Sequence, residues 1–236
     1  MLRTFCFYIF FFPWTLIATV LALVVSLFGQ HQTHSFIRFW GRSCLFFAGL
    51  KVQIRGIENI PIDSPAIYVS NHQSNFDIPI IYAGLPIQFR WMAKQELFRI
   101  PLFGLALKRS GFIPIDRSNQ RYTMQNIIAA AQRIKEGTSM IIFPEGTRTP
   151  DGQLQAFKKG ALLIAAKAQV PVVPIAIHGS YQIQPKDRWK INGGSLTLEF
   201  LRPIPTDGLK SSDIDVLTNK VHDQIANSLQ GATTNA

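Results

Sequence analysis

Two apolar segments dominate the start of the chain. Residues 5–28 contain no charged side chain, and this run exceeds the roughly 20 residues that a helix needs to span a bilayer. Residues 34–50 mix aromatic side chains with Arg38 and Arg42, which lie four positions apart and therefore share one face of a helix. Such a pattern is typical of an amphipathic helix at a membrane interface. We therefore predict that residues 1–50 form a hydrophobic two-helix membrane anchor.

Each of these segments has a second interpretation. Residues 5–28 could be a secretory signal peptide with Arg3 as its positive start, but the apolar run is long for one and no clear small-residue cleavage site follows it. Residues 34–50 could be an ordinary core-facing helix. Pro13 would bend a helix in the first segment, and the sequence leaves open whether that segment crosses the bilayer or re-enters it.

From residue 51 onward, short apolar or alternating runs indicate an α/β domain. Strands are predicted at residues 51–55, 66–70, 89–93, 112–115, 140–143, 172–177 and 196–201. Helices are predicted at residues 97–107, 120–135, 157–168 and 213–229. Strands that alternate with helices favour a mostly parallel sheet of about seven strands, flanked by helices on both faces. The predicted domain covers residues 51–230, and the polar residues 231–236 are expected to be a disordered tail.

The charge balance restricts the classes of partner. The chain of 236 residues has a formal net charge of +10, which favours phosphates, nucleic acid or an acidic membrane surface. Cys6 and Cys44 provide neither a disulfide framework nor a metal-ligand spacing. No Gly-x-x-x-x-Gly-Lys-Ser/Thr nucleotide loop, nucleic-acid module or basic–aromatic stripe is evident in the soluble part. Arg38 and Arg42 follow the first apolar segment, so we place the domain on the cytoplasmic side.

A histidine and an aspartate five residues apart stand between a strand-like and a helix-like run. His72 follows the strand at residues 66–70, and Asp77 precedes the helix-like residues 78–83. On one continuous helix the two side chains would diverge by about 140°, so they can meet only if His72 lies in the turn and Asp77 in the first helical turn. Asp77 could then hold one ring nitrogen of His72 and leave the other free as a base. The same residues also fit a plain helix N-terminus with Ser74 as its cap.

Two further windows surround predicted strands. Residues 111–117 end in Asp116 and Arg117, and a guanidinium at the carboxyl end of a strand is suited to hold a phosphate. The simpler interpretation of this pair is a surface salt bridge. Residues 170–177 indicate a buried strand with prolines near its ends and no chemistry of its own.

The window at residues 143–149 follows another buried strand and contains Glu145, Gly146, Thr147 and Arg148. A half-buried carboxylate needs a partner, and Gly146 permits a tight turn or a close backbone approach. Arg148 supplies a second fixed cation. Because the residues that follow form a turn signal, a structural loop is the alternative interpretation.

The four windows occur, between residues 72 and 177, in the order of the four motifs of the glycerolipid acyltransferases. The histidine–aspartate spacing alone is a weak signal, whereas four motifs in order are a strong one. The chain resembles the 1-acylglycerol-3-phosphate acyltransferases of the bacterial PlsC type. The resemblance covers the whole chain, including the N-terminal two-helix element that this family often carries, and it singles out Lys94 as a phosphate-side lysine.

The resemblance implies transfer of a fatty acyl chain from acyl-CoA or acyl carrier protein to the sn-2 hydroxyl of lysophosphatidic acid, which gives phosphatidic acid. His72 would take the proton from the hydroxyl, and Asp77 would fix its tautomer. The family pattern assigns the phosphate clamp to Lys94, Arg117 and Arg148. It assigns the shape of that site to Glu145, Gly146 and Thr147, with Glu145 orienting an arginine or the glycerol.

The resemblance also implies that no metal or other cofactor is required and that no acyl-enzyme forms. The sequence agrees with direct transfer, because it contains no Gly-x-Ser-x-Gly nucleophile elbow. The expected location is the cytoplasmic face of a bacterial inner membrane.

Two other functions compete with this one. A different lyso-lipid acceptor, such as a lysophospholipid or a lyso-ornithine lipid, would use the same chemistry with less of the phosphate clamp. A non-catalytic membrane protein that binds anionic lipid head groups would explain the basic charge and the amphipathic helix. It would give no reason for His72 and Asp77 to stand together in a strand-to-helix turn.

Overall fold

The computed structural model describes residues 1–115 and 120–233 of the chain. Within that part, seven strands form one sheet: β1 (Val52–Arg55), β2 (Ile67–Ser70), β3 (Phe89–Lys94), β4 (Ile113–Ile115), β5 (Ser139–Ile142), β6 (Val172–His178) and β7 (Leu196–Phe200). Their order across the sheet is β1-β7-β6-β2-β5-β3-β4. The five strands from β6 to β4 are parallel, whereas β7 pairs antiparallel with β6 and parallel with β1. The predicted mostly parallel sheet of seven strands is therefore confirmed.

Helices cover both faces of this sheet. They are α1 (Leu2–Val25), α2 (Gln30–Phe47), α3 (Asp77–Gly84), α4 (Phe103–Arg109), α5 (Gln120–Lys135), α6 (Lys159–Ala168), α7 (Ser180–Ile183) and α8 (Ile214–Thr233). Side chains of α1, α2 and α3 pack with Tyr68 and Ile141 in one core. Side chains of α5, α6 and α8 pack with Ile67 and Met140 in the other. All four residues of β2 and of β5 are buried, as expected for strands enclosed on both faces.

The parallel strands determine where the site lies. Because β2, β3 and β5 point the same way, the residues that follow them meet at one edge of the sheet. Those residues include His72 after β2, Lys94 at the end of β3 and Glu145 after β5. Two of the four sequence windows, together with Lys94, are thereby brought to the same edge.

The N-terminal hairpin is packed onto the domain through both of its helices. A Cβ added to Gly41 of α2 would lie 2.8 Å from the Cβ of Tyr82, so glycine permits the close approach of α2 to α3. Arg38 donates from Nε to the carbonyl of Tyr82 and from Nη1 to that of Pro86, both at 3.4 Å. Phe7 and Leu45 belong to the same core as the sheet. Residues 1–50 thus share a core with the domain that follows them.

The first helix suits a membrane environment on its outer face. Together with a 3₁₀ turn it spans Leu2–Phe28, and within the described residues it is the one helix long and apolar enough to cross a bilayer by length and composition. Most of its large apolar side chains are exposed, while its buried residues are Thr4, Phe7, Ala18 and Ala22.

Two predicted elements differ from the structure. The helix predicted at residues 97–107 is a 3₁₀ turn at Gln95–Arg99 followed by α4, because Pro101 cannot continue a helix and Leu102 adopts a φ of 59°. The tail predicted at residues 231–236 is helical as far as Thr233, since one glycine in a last turn costs only about 1 kcal/mol and does not end a helix. Residues 234–236 lie outside the described part, as do Asp116 and Arg117.

Candidate active site

The structure brings His72 and Asp77 together. His72 lies in the turn after β2, and Asp77 is the first residue of α3. The Nδ1 atom of His72 is 2.8 Å from Oδ2 of Asp77. The imidazole also stacks on Phe143, with ring centroids 3.9 Å apart and an angle of 7° between the planes. A carboxylate at Nδ1 favours a proton on that nitrogen, which leaves Nε2 as the basic atom.

The carboxylate of Asp77 also holds the turn in place. It is fully buried, and its Oδ2 accepts the backbone N–H groups of Gln73 at 2.7 Å and Ser74 at 2.8 Å. Its Oδ1 has no hydrogen-bond partner among the described residues. Helix α3 begins at Asp77 with Phe76 at its N-cap, so Ser74 lies two residues before the cap position. Ser74 nevertheless makes the bonds of the capping pattern that the sequence indicated, because its Oγ accepts the N–H of Phe76 at 3.2 Å and Asp77 accepts the N–H of Ser74.

Glu145 fixes the backbone of the histidine. Its side chain is buried, and Oε1 accepts the N–H of His72 at 2.6 Å while Oε2 accepts the N–H of Gln155 at 3.2 Å. The N–H of Thr149 binds the carbonyl of His72 at 3.0 Å. Both backbone groups of His72 are therefore held by the loop after β5. This contact between residues 73 positions apart is absent from the sequence-based interpretation, which gave Glu145 an arginine or the glycerol as its partner.

The environment of Glu145 makes its charge sensitive to pH. Burial raises the pKa of Glu145 to about 7, and the nearby carboxylate of Asp77 adds to this, while the N–H groups of His72 and Gln155 oppose it. A carboxyl with a higher pKa in the folded state stabilises the protein fully below its unfolded pKa of about 4.3. That stabilisation is lost as the pH rises through about 7.

Replacement of Glu145 by glutamine should remove this pH dependence. We expect the free energy of unfolding of the unaltered protein to fall between pH 5 and pH 8, relative to Glu145→Gln, by up to about 3 kcal/mol. Urea unfolding of the two detergent-solubilised proteins at both pH values measures the difference, and other titrating groups cancel in the comparison. If the free energy of unfolding changed equally with pH in the two proteins, Glu145 would have the same pKa in the folded and the unfolded state, which would contradict this prediction.

A second buried polar residue braces the same turn. Asn71 is fully buried, donates from Nδ2 to the carbonyl of Ile177 at 2.9 Å and accepts the N–H of Ile177 at 2.8 Å. The turn before His72 is thus fastened to β6, the strand that the sequence indicated without assigning it a role. The asparagine directly before the histidine was the only available signal, and sequence reasoning did not use it.

Two described cations lie near the histidine. Lys94 is exposed at the end of β3, and Arg148 places Nη2 at 3.7 Å from Oδ1 of Asp187. Thr147 accepts a hydrogen bond from Lys186 at 3.4 Å, and Gly146 adopts a φ of 79°, which favours glycine. The third predicted cation, Arg117, lies outside the described residues.

These polar groups follow the parallel strands β2, β3 and β5 and line an apolar cavity, and we call the part of its wall that they form the polar end. The cavity has a volume of about 430 Å³, and its polar lining includes His72, Lys94, Gly146, Thr147 and Arg148. Most of the remaining lining is apolar and comes from α1, α2, α3, β3, α4 and the segment after α4.

Small side chains of α1 form one wall of this cavity: Thr15, Ala18, Thr19 and Ala22. They recur at intervals of three and four residues, so they share a single helical face. Sequence reasoning missed this wall, although the spacing of small residues within an aromatic-rich segment was visible.

Comparisons with known proteins agree with the fold and extend it. A family model described as Acyltransferase matches residues 51–178. A protein of Arabidopsis thaliana named 1-acyl-sn-glycerol-3-phosphate acyltransferase LPAT1, chloroplastic, is 37% identical over 202 residues, which are 85% of this chain and 55% of that protein. The 1-acyl-sn-glycerol-3-phosphate acyltransferase alpha of Bos taurus is 32% identical over 215 residues, or 90% of this chain and 75% of that protein. The chain thus spans little more than half the length of the plant relative.

A solved structure resembles the whole chain. The crystal structure of the 1-acyl-sn-glycerophosphate (LPA) acyltransferase PlsC from Thermotoga maritima aligns with a TM-score of 0.84 and 30% sequence identity. The alignment covers 98% of this chain and 95% of that one. The N-terminal hairpin and the sheet therefore have counterparts in the same structure.

Proposed function

The chain belongs to the acyltransferase family, and from this premise we propose that it transfers a fatty acyl chain from an acyl thioester to the sn-2 hydroxyl of 1-acyl-sn-glycerol-3-phosphate. The product is phosphatidic acid. The observation that carries the proposal is that His72, paired with Asp77, lines one cavity together with Lys94, Arg148 and many apolar side chains. An anionic head group and an acyl chain need this combination of surroundings.

In the proposed reaction, His72 acts as a general base. Its Nε2 removes the proton from the sn-2 hydroxyl, and the hydroxyl oxygen attacks the thioester carbonyl directly. The tetrahedral intermediate then collapses, the carbon–sulfur bond breaks, and the imidazolium returns the proton to the departing thiolate. Asp77 stabilises the imidazolium between these steps through the contact at Nδ1.

Lys94 and Arg148 are the described groups suited to bind the acceptor phosphate. Both line the cavity beside His72, and a guanidinium can bind phosphate through two parallel hydrogen bonds. Arg117 is proposed as a third member from its sequence position. Thr147 and Gly146 lie in the same loop and offer a hydroxyl and a turn that lets the backbone approach the ligand.

We propose that the acyl chain lies in the apolar part of the cavity. A larger side chain there should shift the preference of the enzyme toward shorter acyl chains. In Ala22→Phe the ring would occupy space in the cavity that Ala22 lines. Exclusion of two methylenes costs about 1.6 kcal/mol, so we expect kcat/KM to fall about fifteenfold for long acyl thioesters and much less for short ones. Val20→Phe is the matched control, because Val20 is exposed on α1 and does not line the cavity. Equal losses across all chain lengths would place the acyl chain elsewhere.

Membrane attachment follows from the substrates and from α1. Both the acceptor and the product are lipids, and extraction of a chain from the bilayer costs about 0.8 kcal/mol per methylene. We propose that α1 and α2 anchor the enzyme to the cytoplasmic face of a bacterial inner membrane, with acyl-CoA or acyl carrier protein as the donor. The exposed apolar face of α1 supports the attachment.

Competition among acceptors tests the proposed function. Purified enzyme would receive one acyl thioester and a mixture of four acceptors: lysophosphatidic acid, a lysophospholipid with a larger head group, a lyso-ornithine lipid and a monoacylglycerol that lacks phosphate. The KM of each acceptor would then be measured separately. We expect phosphatidic acid as the main product, and we expect Arg148→Ala to raise KM for lysophosphatidic acid but not for monoacylglycerol. If another lyso-lipid were acylated in preference, that lipid would replace lysophosphatidic acid as the proposed acceptor. If no acceptor were acylated, the proposal that this protein is an acyltransferase would be wrong.

A further inference from the structure

A short cationic loop lies between α7 and β7. It comprises residues 184–191 and contains Lys186, Arg188 and Lys190, with Asp187 as its single acidic residue. Its Trp189 is 60% exposed, whereas none of the other tryptophans of the chain, all within described segments, exposes most of its surface. We call this segment the cationic loop. An exposed indole between two cations has both an apolar body and neighbouring charges, so this loop is suited to contact a partner that offers both.

The cationic loop is fastened to the first turns of α1. Thr4 is fully buried, accepts the N–H of Ile191 at 3.0 Å and donates to its carbonyl at 3.4 Å. Gln184 donates to the hydroxyl of Tyr8 at 2.8 Å. The guanidinium of Arg3 crosses Gly193, where an added Cβ would lie 2.9 Å from Nη1. The loop and α1 therefore present one continuous edge of the molecule.

In the same turns, α1 exposes Leu2, Phe5 and Ile9. An exposed apolar helix face beside an indole and several cations is the arrangement found where proteins meet a membrane surface, because tryptophan favours the head-group region and lysine and arginine favour anionic lipids.

The cationic loop also touches the polar end of the cavity. Lys186 donates to Thr147 at 3.4 Å, and Asp187 lies 3.7 Å from Arg148. Asn75, in the turn that holds His72, donates to Gln184 at 3.4 Å. The cationic loop is therefore in direct contact with two residues that line the cavity, Thr147 and Arg148, and with the turn of His72.

From this edge we infer that residues 184–191 are a second membrane contact, in which Trp189 enters the head-group region of an anionic leaflet and Arg188 and Lys190 bind lipid phosphates. The inference rests on the proposed attachment of α1 to a membrane. With α1 and the cationic loop both at the bilayer, the polar end of the cavity lies beside the head groups from which a phosphate-bearing acceptor arrives.

Vesicle binding of the full chain tests the charges. Detergent-solubilised protein would be diluted into vesicles of phosphatidylcholine, with or without phosphatidylglycerol, and bound protein separated by flotation. Each cation near an anionic surface contributes about fivefold in binding, so Arg188→Gln/Lys190→Gln should bind anionic vesicles about 25-fold more weakly than the unaltered protein. On neutral vesicles the two proteins should bind equally. The matched control, Lys135→Gln/Lys220→Gln, removes two exposed cations from α5 and α8 on the opposite face of the sheet. Equal losses in both double variants would overturn the inference.

Fluorescence of Trp189 gives a readout that does not depend on the total affinity. Subtraction of the emission of Trp189→Phe isolates this residue from the other tryptophans. We expect its emission to be quenched by brominated phosphatidylcholine in the vesicles and protected from acrylamide in the water. The inference would be overturned if, with vesicles present, acrylamide still quenched Trp189 and brominated lipid did not. It would also be overturned if coenzyme A or an acidic carrier protein, added without vesicles, protected Trp189 from acrylamide. Neither readout uses acyl transfer, so the inference can fail while the proposed enzyme stands.

Discussion

His72→Ala is expected to lower kcat for acyl transfer by about 10²–10⁴-fold, the usual contribution of a general base. The substitution removes Nε2 but keeps the backbone N–H that binds Glu145 and the carbonyl that binds Thr149, so the turn should persist. KM for lysophosphatidic acid should change little, because the cations that bind the phosphate remain. Initial rates of thiol release at saturating acceptor measure the effect.

A second histidine provides the matched control. His178 ends β6 at the same edge of the sheet and binds Glu199 at 3.0 Å, but it does not line the cavity. His178→Ala should therefore keep most of the activity. Equal activity in His72→Ala and His178→Ala would remove His72 from the mechanism. Partial recovery of His72→Ala by added imidazole would strengthen its assignment as the base.

Asp77→Asn should lower kcat more than any other change except His72→Ala, because it removes the negative charge beside the imidazole while keeping an oxygen that can accept the same hydrogen bonds. Oδ2 accepts three hydrogen bonds and Oδ1 has no partner in the described part of the chain, so an asparagine oxygen at the Oδ2 position can accept the same three. What disappears is the ion pair with the imidazolium. At about 4 Å and an effective dielectric constant of about 20, such a pair is worth about 4 kcal/mol. We therefore expect kcat to fall by up to about 10³-fold.

Asp77→Ala separates the two roles of the carboxylate. It leaves the N–H groups of Gln73 and Ser74 buried without an acceptor, and each such loss costs about 1–3 kcal/mol. The alanine variant should thus unfold at a markedly lower urea concentration than the asparagine variant, which keeps the acceptor of the turn and leaves only its own amide NH2 without a partner. An asparagine variant with full activity, or one as unstable as the alanine variant, would contradict this account.

The sheet was readable from the sequence because its central strands are short, apolar and bounded by turn residues. Residues 66–70, 140–143 and 172–177 needed no tertiary information to be identified as strands. The helix at residues 97–107 was misjudged because its composition is helical, whereas Pro101 breaks the hydrogen-bond ladder. Local composition predicted the elements, and a single backbone constraint decided where one of them begins.

The site was only partly readable. Local spacing predicted that His72 and Asp77 could meet, since both lie in one turn. The bond from Glu145 to the N–H of His72 joins two loops that only the strand order β2–β5 brings together, and no local pattern predicts it. The cationic loop was overlooked because three cations and a tryptophan are unremarkable until Thr4 and Ile191 place them beside α1.

The most direct test of the central claim is the stoichiometry of thiol release in a single-turnover experiment. Enzyme and acyl thioester would be mixed with and without lysophosphatidic acid, and thiol and phosphatidic acid would be followed together. Direct transfer with His72 as the base predicts that thiol appears only with the acceptor, in equal amount to phosphatidic acid, and that both form about 10²–10⁴-fold more slowly in His72→Ala. A burst of thiol equal to the enzyme concentration without any acceptor would show an acyl-enzyme and contradict the account.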